Sequence, residues 1–195
     1  MTRAVVAVLA GGRGRRLGGA KATAPLGGRP LISYPLAAAA AAGLEAVVVA
    51  KPGSALPAEL GVPVWDEPAE PVHPLAGVVH ALERAGGPVV AVACDMPWVA
   101  PGLLGALAAS DAPVVAARVA GRLEPFPARF APEVLPALRD ALAREAGVRA
   151  SLDALRPAEL DEAALRAYGD PARLVAGVNT PEQLAAAERK LGSAR

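Results

Sequence analysis

The chain has 195 residues, of which 53% are hydrophobic and 20% charged, with a formal net charge of +1. That balance excludes an acidic disordered segment and a protein that holds nucleic acid by bulk charge, and the length suits one domain, 1–195, with a sizeable core. The single cysteine, Cys94, excludes an internal disulfide framework and an all-cysteine metal site.

In chain order, Ala4 to Ala10 is an apolar run without polar alternation, the pattern of a strand buried on both faces of a parallel sheet. Gly11 to Gly28 is too polar for a core and reads as a glycine- and arginine-rich loop. The spacing then predicts a helix over Pro30 to Gly43, with proline in its first turn and glycine at its end. Strands follow at Glu45 to Ala50 and Val62 to Trp65, a helix at Leu75 to Ala85, and a strand at Pro88 to Cys94. A helix over Pro101 to Ala109 and a strand over Pro113 to Ala117 continue the alternation. This order of apolar strands and helices is that of a parallel α/β sheet. The last third is less regular, with strands expected at Phe126 to Phe130 and Leu174 to Val178 and a helix over Pro132 to Arg144. A closing helix spans Thr180 to Leu191, with Thr180 as its cap and Gln183 three residues on. The longest apolar stretch, Pro35 to Leu44, falls far short of the roughly 20 residues a membrane span needs. No signal-peptide pattern opens the chain, so a cytoplasmic protein with no membrane partner is expected.

Alanine, glycine, proline and arginine are used heavily, while there are only three lysines and one asparagine. In so biased a composition the rare residue types are informative. The sharpest signal runs from Leu9 to Lys21, where a buried strand enters a loop holding five glycines and four cations. Glycines let backbone N–H groups approach a ligand closely, and a concave run of them reinforced by arginine and lysine cradles phosphate. Two related patterns fail. The dinucleotide fingerprint would require a glycine or alanine where Leu17 stands, and the P-loop requires serine or threonine after its lysine, where Ala22 stands.

The second signal is Cys94-Asp95-Met96-Pro97. Asp95 ends a buried strand at the carboxyl edge of the expected sheet, where ligands bind in open α/β folds. A carboxylate there suits Mg²⁺, although capping of the next helix would also account for it. Cys94 reads as a small core residue rather than a nucleophile. Asp66 and Glu67 follow the short third strand and are either cleft residues or solvated loop acids. His73 and His80 have no partners at zinc-site spacing, and His80 reads as a packed or surface helix residue. Asn179, the lone asparagine, sits where a strand is expected to meet a capped helix. It is either a turn former or a group that meets substrate or completes a metal shell.

Taken together, Leu-Ala-Gly-Gly (9–12), Arg-Arg-Leu-Gly (15–18) with Lys21, Cys-Asp-Met-Pro, Pro-Leu-Ala-Gly (74–77) and Asn-Thr-Pro-Glu-Gln-Leu (179–184) resemble the molybdenum cofactor guanylyltransferases, over residues 4 to 190. These belong to a wider nucleotidyltransferase group that includes cytidylyl- and sugar-phosphate transferases. The resemblance implies a single-domain, three-layer α/β sandwich with a mostly parallel central sheet, of Rossmann-like nucleotidyltransferase type. It implies that GMP passes from GTP to the phosphate of molybdopterin with release of pyrophosphate and dependence on Mg²⁺. It places Leu9, Ala10 and Gly11 on purine and ribose, Gly12 and the arginines near the triphosphate, and Lys21 on the phosphates. Asp66 would help recognise the nucleoside, and Asp95 would bind Mg²⁺ and touch the nucleotide. Asp95, Lys21 and Arg16 are thus the implied catalytic residues, with Asn179 on substrate. Gly11-Gly12 leans towards guanine. Three positions depart from the family's pattern: Ala20 before Lys21 in a shortened loop, Ala50-Lys51 where an asparagine is common, and Glu124-Pro125 in place of His-Pro. The alternatives are a cytidylyl- or sugar-phosphate transferase of the same fold, or a nucleotide-binding module without turnover. The expected partners are GTP, a phosphate-bearing acceptor and, transiently, other cofactor-biosynthesis proteins.

Overall fold

The computed structural model describes residues 3–12 and 21–192. Strand β1 (Val5–Leu9) leads to a short 3₁₀ turn at Lys21–Thr23 and a small antiparallel hairpin, β2 (Pro25–Leu26) with β3 (Arg29–Pro30). Gly27 and Gly28 link these two strands with φ of 56° and 77°, the left-handed pair that a tight two-residue hairpin turn requires. Helix α1 (Ser33–Ala41), β4 (Ala46–Ala50), β5 (Val64–Asp66), α2 (Pro74–Ala85), β6 (Val89–Ala93) and α3 (Pro101–Ala109) complete the alternating part. Then come β7 (Val114–Val119), β8 (Arg122–Phe130), α4 (Leu135–Ala143), α5 (Val148–Ala154), β9 (Ala158–Leu160), α6 (Glu162–Leu165), α7 (Pro171–Leu174) and α8 (Pro181–Gly192).

The main sheet has seven strands in the order β5-β4-β1-β6-β8-β7-β9. From β5 to β6 all pairings are parallel, β8 runs antiparallel to both its neighbours, and β9 is parallel to β7. Side chains alternate across the sheet with a period of two. Val6, Val8, Val48, Val90 and Val92 face the core under α1 and α3, while Ala7, Val47, Val49, Val89 and Ala91 face the core under α2, α4 and α5. Strands β1, β4 and β6 are apolar at every position, as suits strands covered on both faces, and the sheet with its two helical layers is the expected three-layer α/β architecture.

Three expectations are corrected. Leu174 to Val178 forms no strand: α7 ends at Leu174, and only the Val178 N–H reaches the sheet edge, donating to the Asp95 carbonyl at 2.8 Å. The third strand of the sheet's far edge is instead β9, whose Ala-Glu-Leu carries little strand signal and is held by pairing with β7. The helix expected from Pro30 begins at Ser33, because Pro30 closes the hairpin. The strand expected from Phe126 is longer and starts at Arg122. Among the described residues no helix is long and apolar enough to cross a membrane.

Phe130 is 1% exposed where β8 meets β6 and β7. Phe130→Ala is expected to lower stability by about 3–5 kcal/mol, read as a drop in the urea midpoint.

Candidate active site

The chain leaves β1 towards β4 on one side and returns to β6 on the other, so the carboxyl ends of β1 and β6 flank a switch in strand order. Crevices at such switches are the usual ligand sites of open α/β sheets. A cleft of about 320 Å³ opens here, lined by Leu9, Gly11, Gly12 and Lys21 after β1, by Ala93, Cys94 and Asp95 from β6, and by Glu67, His73, Pro74 and Gly77. Lys51, Val72 and Phe126 complete its wall. A second hollow of about 300 Å³ adjoins it, shares Gly11, Gly12, Lys21 and Lys51, and adds Ala10 and the loop at 52–55.

Lys21 ties the site together. Its ammonium lies 2.5 Å from Asp95 Oδ2 and donates to Asn179 Oδ1 at 2.7 Å. Asp95 is 3% exposed, and its carboxylate faces the cleft rather than a helix end, since α3 is capped at Ala100. Gly177 makes the arrangement possible: a Cβ there would lie 2.6 Å from Asp95 Oδ2 and 3.1 Å from Asn179 Nδ2. The segment carrying Gly177 and Asn179 is anchored by the Val178 to Asp95 backbone bond and by the start of α8. There the Gln183 N–H donates to Thr180 Oγ1, and Gln183 Oε1 accepts from the Asn179 N–H. The bond from Gln183 to Thr180 is the serine/threonine-x-x-glutamine cap expected from the sequence, while the Gln183 side chain reaches back one residue past the cap, to Asn179.

Two oxygens, Asp95 Oδ2 and Asn179 Oδ1, therefore converge on one cation. Such hard oxygen donors fit Mg²⁺, which takes few protein ligands and fills its shell with phosphate oxygens and water. Among the described residues no group of three or more histidine, cysteine, aspartate or glutamate side chains could hold a metal by itself. A metal held here would take only a partial shell from these side chains. Cys94 is buried, and desolvation followed by the charge of Asp95 pushes its thiol pKa up to about 12, which fits a packing role rather than a nucleophile.

Of the residues implied for nucleotide contact, Leu9, Gly11, Gly12, Lys21 and Asp95 share the main cleft, and Ala10 lines the adjoining hollow. Asn179 meets them through Lys21. Arg16 lies outside the described residues. Asp66 does not join them: it is exposed at the end of the edge strand β5, and the next residue, Glu67, turns into the cleft. Glu67 is 4% exposed, and its Oε2 has no hydrogen-bond partner among the described residues. Its neighbour Lys51 stands where the family pattern favours asparagine. The Lys51 ammonium lies 3.8 Å from Glu67 Oε1 and is committed to the carbonyls of Pro68 at 2.6 Å and Pro71 at 3.1 Å. His73 lines the cleft as the cap of α2, its Nδ1 accepting from the Leu75 N–H at 3.2 Å. Gly177 and His73 carry no site signal in the sequence: among so many glycines the first is not distinguished, and the Pro-Leu that follows His73 hints only at a helix start.

Burial pushes the Glu67 pKa above the usual carboxylate range, with Lys51 opposing the rise. A carboxyl group raised in the folded state favours folding while protonated and loses that contribution as pH rises through its folded value. Glu67→Gln is therefore expected to melt at a higher temperature than the natural chain at pH 8 and at the same temperature near pH 4, checked by thermal unfolding across that range.

A family model for the MobA-like NTP transferase domain matches residues 6–162. A molybdenum cofactor guanylyltransferase of Rhodobacter capsulatus is 37% identical over 191 residues, covering 94% of each chain. Among solved structures, molybdopterin-guanine dinucleotide biosynthesis protein A of Archaeoglobus fulgidus superposes with a TM-score of 0.83 at 26% identity, over 97% of this chain and 99% of that one. The 2-C-methyl-D-erythritol 4-phosphate cytidylyltransferase of Thermus thermophilus shares the fold, with a TM-score of 0.70 at 23% identity over 97% of this chain and 98% of that one. With Gly11, Gly12, Lys21 and Asp95 lining one cleft and Asn179 joined to it through Lys21, the chain belongs to the MobA-like NTP transferase family.

Proposed function

We propose that this enzyme transfers GMP from GTP to the phosphate of molybdopterin, releasing pyrophosphate, and that residues 1–195 act as one nucleotidyltransferase domain. The observation that carries this reading is the convergence of Asp95 and Asn179 on the Lys21 ammonium at the carboxyl ends of β1 and β6. Kinship to a molybdenum cofactor guanylyltransferase supports GTP as donor and molybdopterin as acceptor. The balance of charge and the buried lone cysteine suit a cytoplasmic setting.

In the reaction an oxygen of the acceptor's phosphate monoester attacks the α-phosphorus of GTP in line. The bond from that phosphorus to the bridging oxygen breaks, and pyrophosphate leaves with the electron pair. The attacking oxygen is already anionic, so no base and no covalent enzyme intermediate are needed. What the chain supplies is position and compensating charge. Gly12 leaves the backbone bare for the donor's phosphates, Gly11 does so for the ribose, and Lys21 brings a positive charge to the oxygens that gain negative charge. Arg16 adds a second cation from the same loop. Asp95 and Asn179 would hold Mg²⁺, which when bound supplies charge neutralisation at phosphate oxygens. Leu9 and Ala10 border the nucleoside end of the cleft system.

Asp95→Ala and Lys21→Ala are each expected to lower kcat for pyrophosphate release by about 10²–10³-fold, the scale of removing one preorganised charge contact. Coupled pyrophosphate detection with GTP and molybdopterin measures this, and turnover near that of the natural chain would remove the residue from the site. Chelation with EDTA is expected to stop turnover and added Mg²⁺ to restore it; activity that persists in EDTA would refute the metal assignment.

A further inference from the structure

Lys21, Asp95 and Asn179 ride on segments that the sheet does not hold equally. Asp95 follows β6 closely, whereas Lys21 stands in the 3₁₀ turn before the β2–β3 hairpin and Asn179 in the stretch before α8. A hairpin this small has little stability of its own. What backs these pieces is a third apolar cluster, apart from the two that line the sheet, formed by Leu26, Leu31, Val178 and Ala187. The hairpin closes behind Lys21: the Leu31 N–H donates to the Ala24 carbonyl at 2.9 Å and the Ile32 N–H to the Ala22 carbonyl at 3.2 Å. Val178 adjoins Asn179, and Leu184, Ala187 and Leu191 share one face of α8 by their spacing. The Gly27 N–H donates to Glu188 Oε1 at 2.7 Å, so hairpin and helix also hold each other directly. Trp98, a short step beyond Asp95 in the chain, packs against this cluster. From α7 the Arg173 guanidinium carbon lies 4.6 Å over its ring centroid.

Resting on the nucleotidyl-transfer reading above, we propose that Trp98 is a positioning residue, whose packing between the Asp95 loop, the β2–β3 hairpin and α8 sets the spacing of Lys21, Asp95 and Asn179. Trp98 lines neither hollow of the cleft, so it acts through the residues that do. Transfer by position and compensating charge depends on that spacing, and a lysine on its flexible stem does not fix it alone. An indole combines a large apolar area with only two side-chain torsions, so it transmits position instead of absorbing it. A smaller side chain here would leave both sheet cores intact, because they lie elsewhere. It would let the hairpin and α8 settle into the space released, and Lys21 and Asn179 would shift against Asp95. Trp98 is one of two tryptophans in a chain that is 3% aromatic, so its presence is a feature that composition does not supply.

Asn179 is the sole asparagine of the chain, so selective ¹⁵N-asparagine labelling gives a single side-chain amide pair in an NMR spectrum, a direct report on its bond with Lys21. Lys21→Ala removes the donor and marks where that signal lies once the bond is lost. Trp98→Leu is expected to move the signal most of the way there, and Trp98→Phe to leave it near its natural position. In Trp98→Leu, kcat for pyrophosphate release should fall about 10–100-fold with the KM for GTP within about threefold. Added to Lys21→Ala, the same change should cost less than about threefold more, as expected of residues that act through one contact. Should Trp98→Leu fail to fold, Leu184→Ala thins the same cluster from α8 and is expected to move the signal the same way. A natural signal in whichever variant folds overturns the proposal. So do kcat losses that multiply with that of Lys21→Ala, the mark of a general structural effect. If the natural chain transfers no nucleotide yet the signal follows Trp98, the activity falls and the positioning role stands. An active chain whose signal ignores Trp98 keeps the activity and loses the role.

Discussion

The central strands of this protein have no face that meets water. Val6, Val8, Val48, Val90 and Val92 lie under one helical layer and Ala7, Val49, Val89 and Ala91 under the other, all of them buried. A charged side chain placed along those strands would lose its hydration with nothing in return. Polar chemistry is therefore confined to the strand ends, and parallel pairing brings the carboxyl ends of β5, β4, β1 and β6 to one edge. The cleft is a consequence of the same burial that stabilises the sheet. Asp95 and Glu67 take up their positions where the apolar runs stop.

Within that edge the acids are treated differently. Asp95 is matched by the Lys21 ammonium, so its charge is compensated in the free protein. Among the described residues Glu67 has only a more distant, already engaged lysine, and burial raises its pKa. The first acid is matched where it stands; the second is a buried group poorly compensated by its surroundings, at a local cost to stability.

Much of this was legible in the residues. Unalternating valine-rich runs marked β1, β4 and β6 as doubly covered, and the rare lysine and asparagine picked out Lys21 and Asn179, which meet across the cleft. The illegible parts share a physical cause: their conformation is set by partners rather than by local pattern. Ala158–Leu160 is a strand because β7 lies beside it. Leu174 to Val178 has the composition of a strand but no neighbour to pair with, and an aspartate-capped turn of helix takes its first residue instead. Asp66 and Glu67 were indistinguishable because successive residues leaving a strand point to opposite sides, so one position decides which acid enters the cleft.

The Lys21 ammonium is gripped from two directions by residues that lie far apart along the chain, Asp95 and Asn179. Synthesis runs from the amino end, and the glycine loop and both leading acids exist well before residue 179 is added. A growing polypeptide can thus assemble most of the sheet while its ammonium still has only one oxygen partner. Completion of this cleft is tied to the arrival of α8, and a product of premature termination before that helix would carry most of the sheet without its finished carboxyl edge.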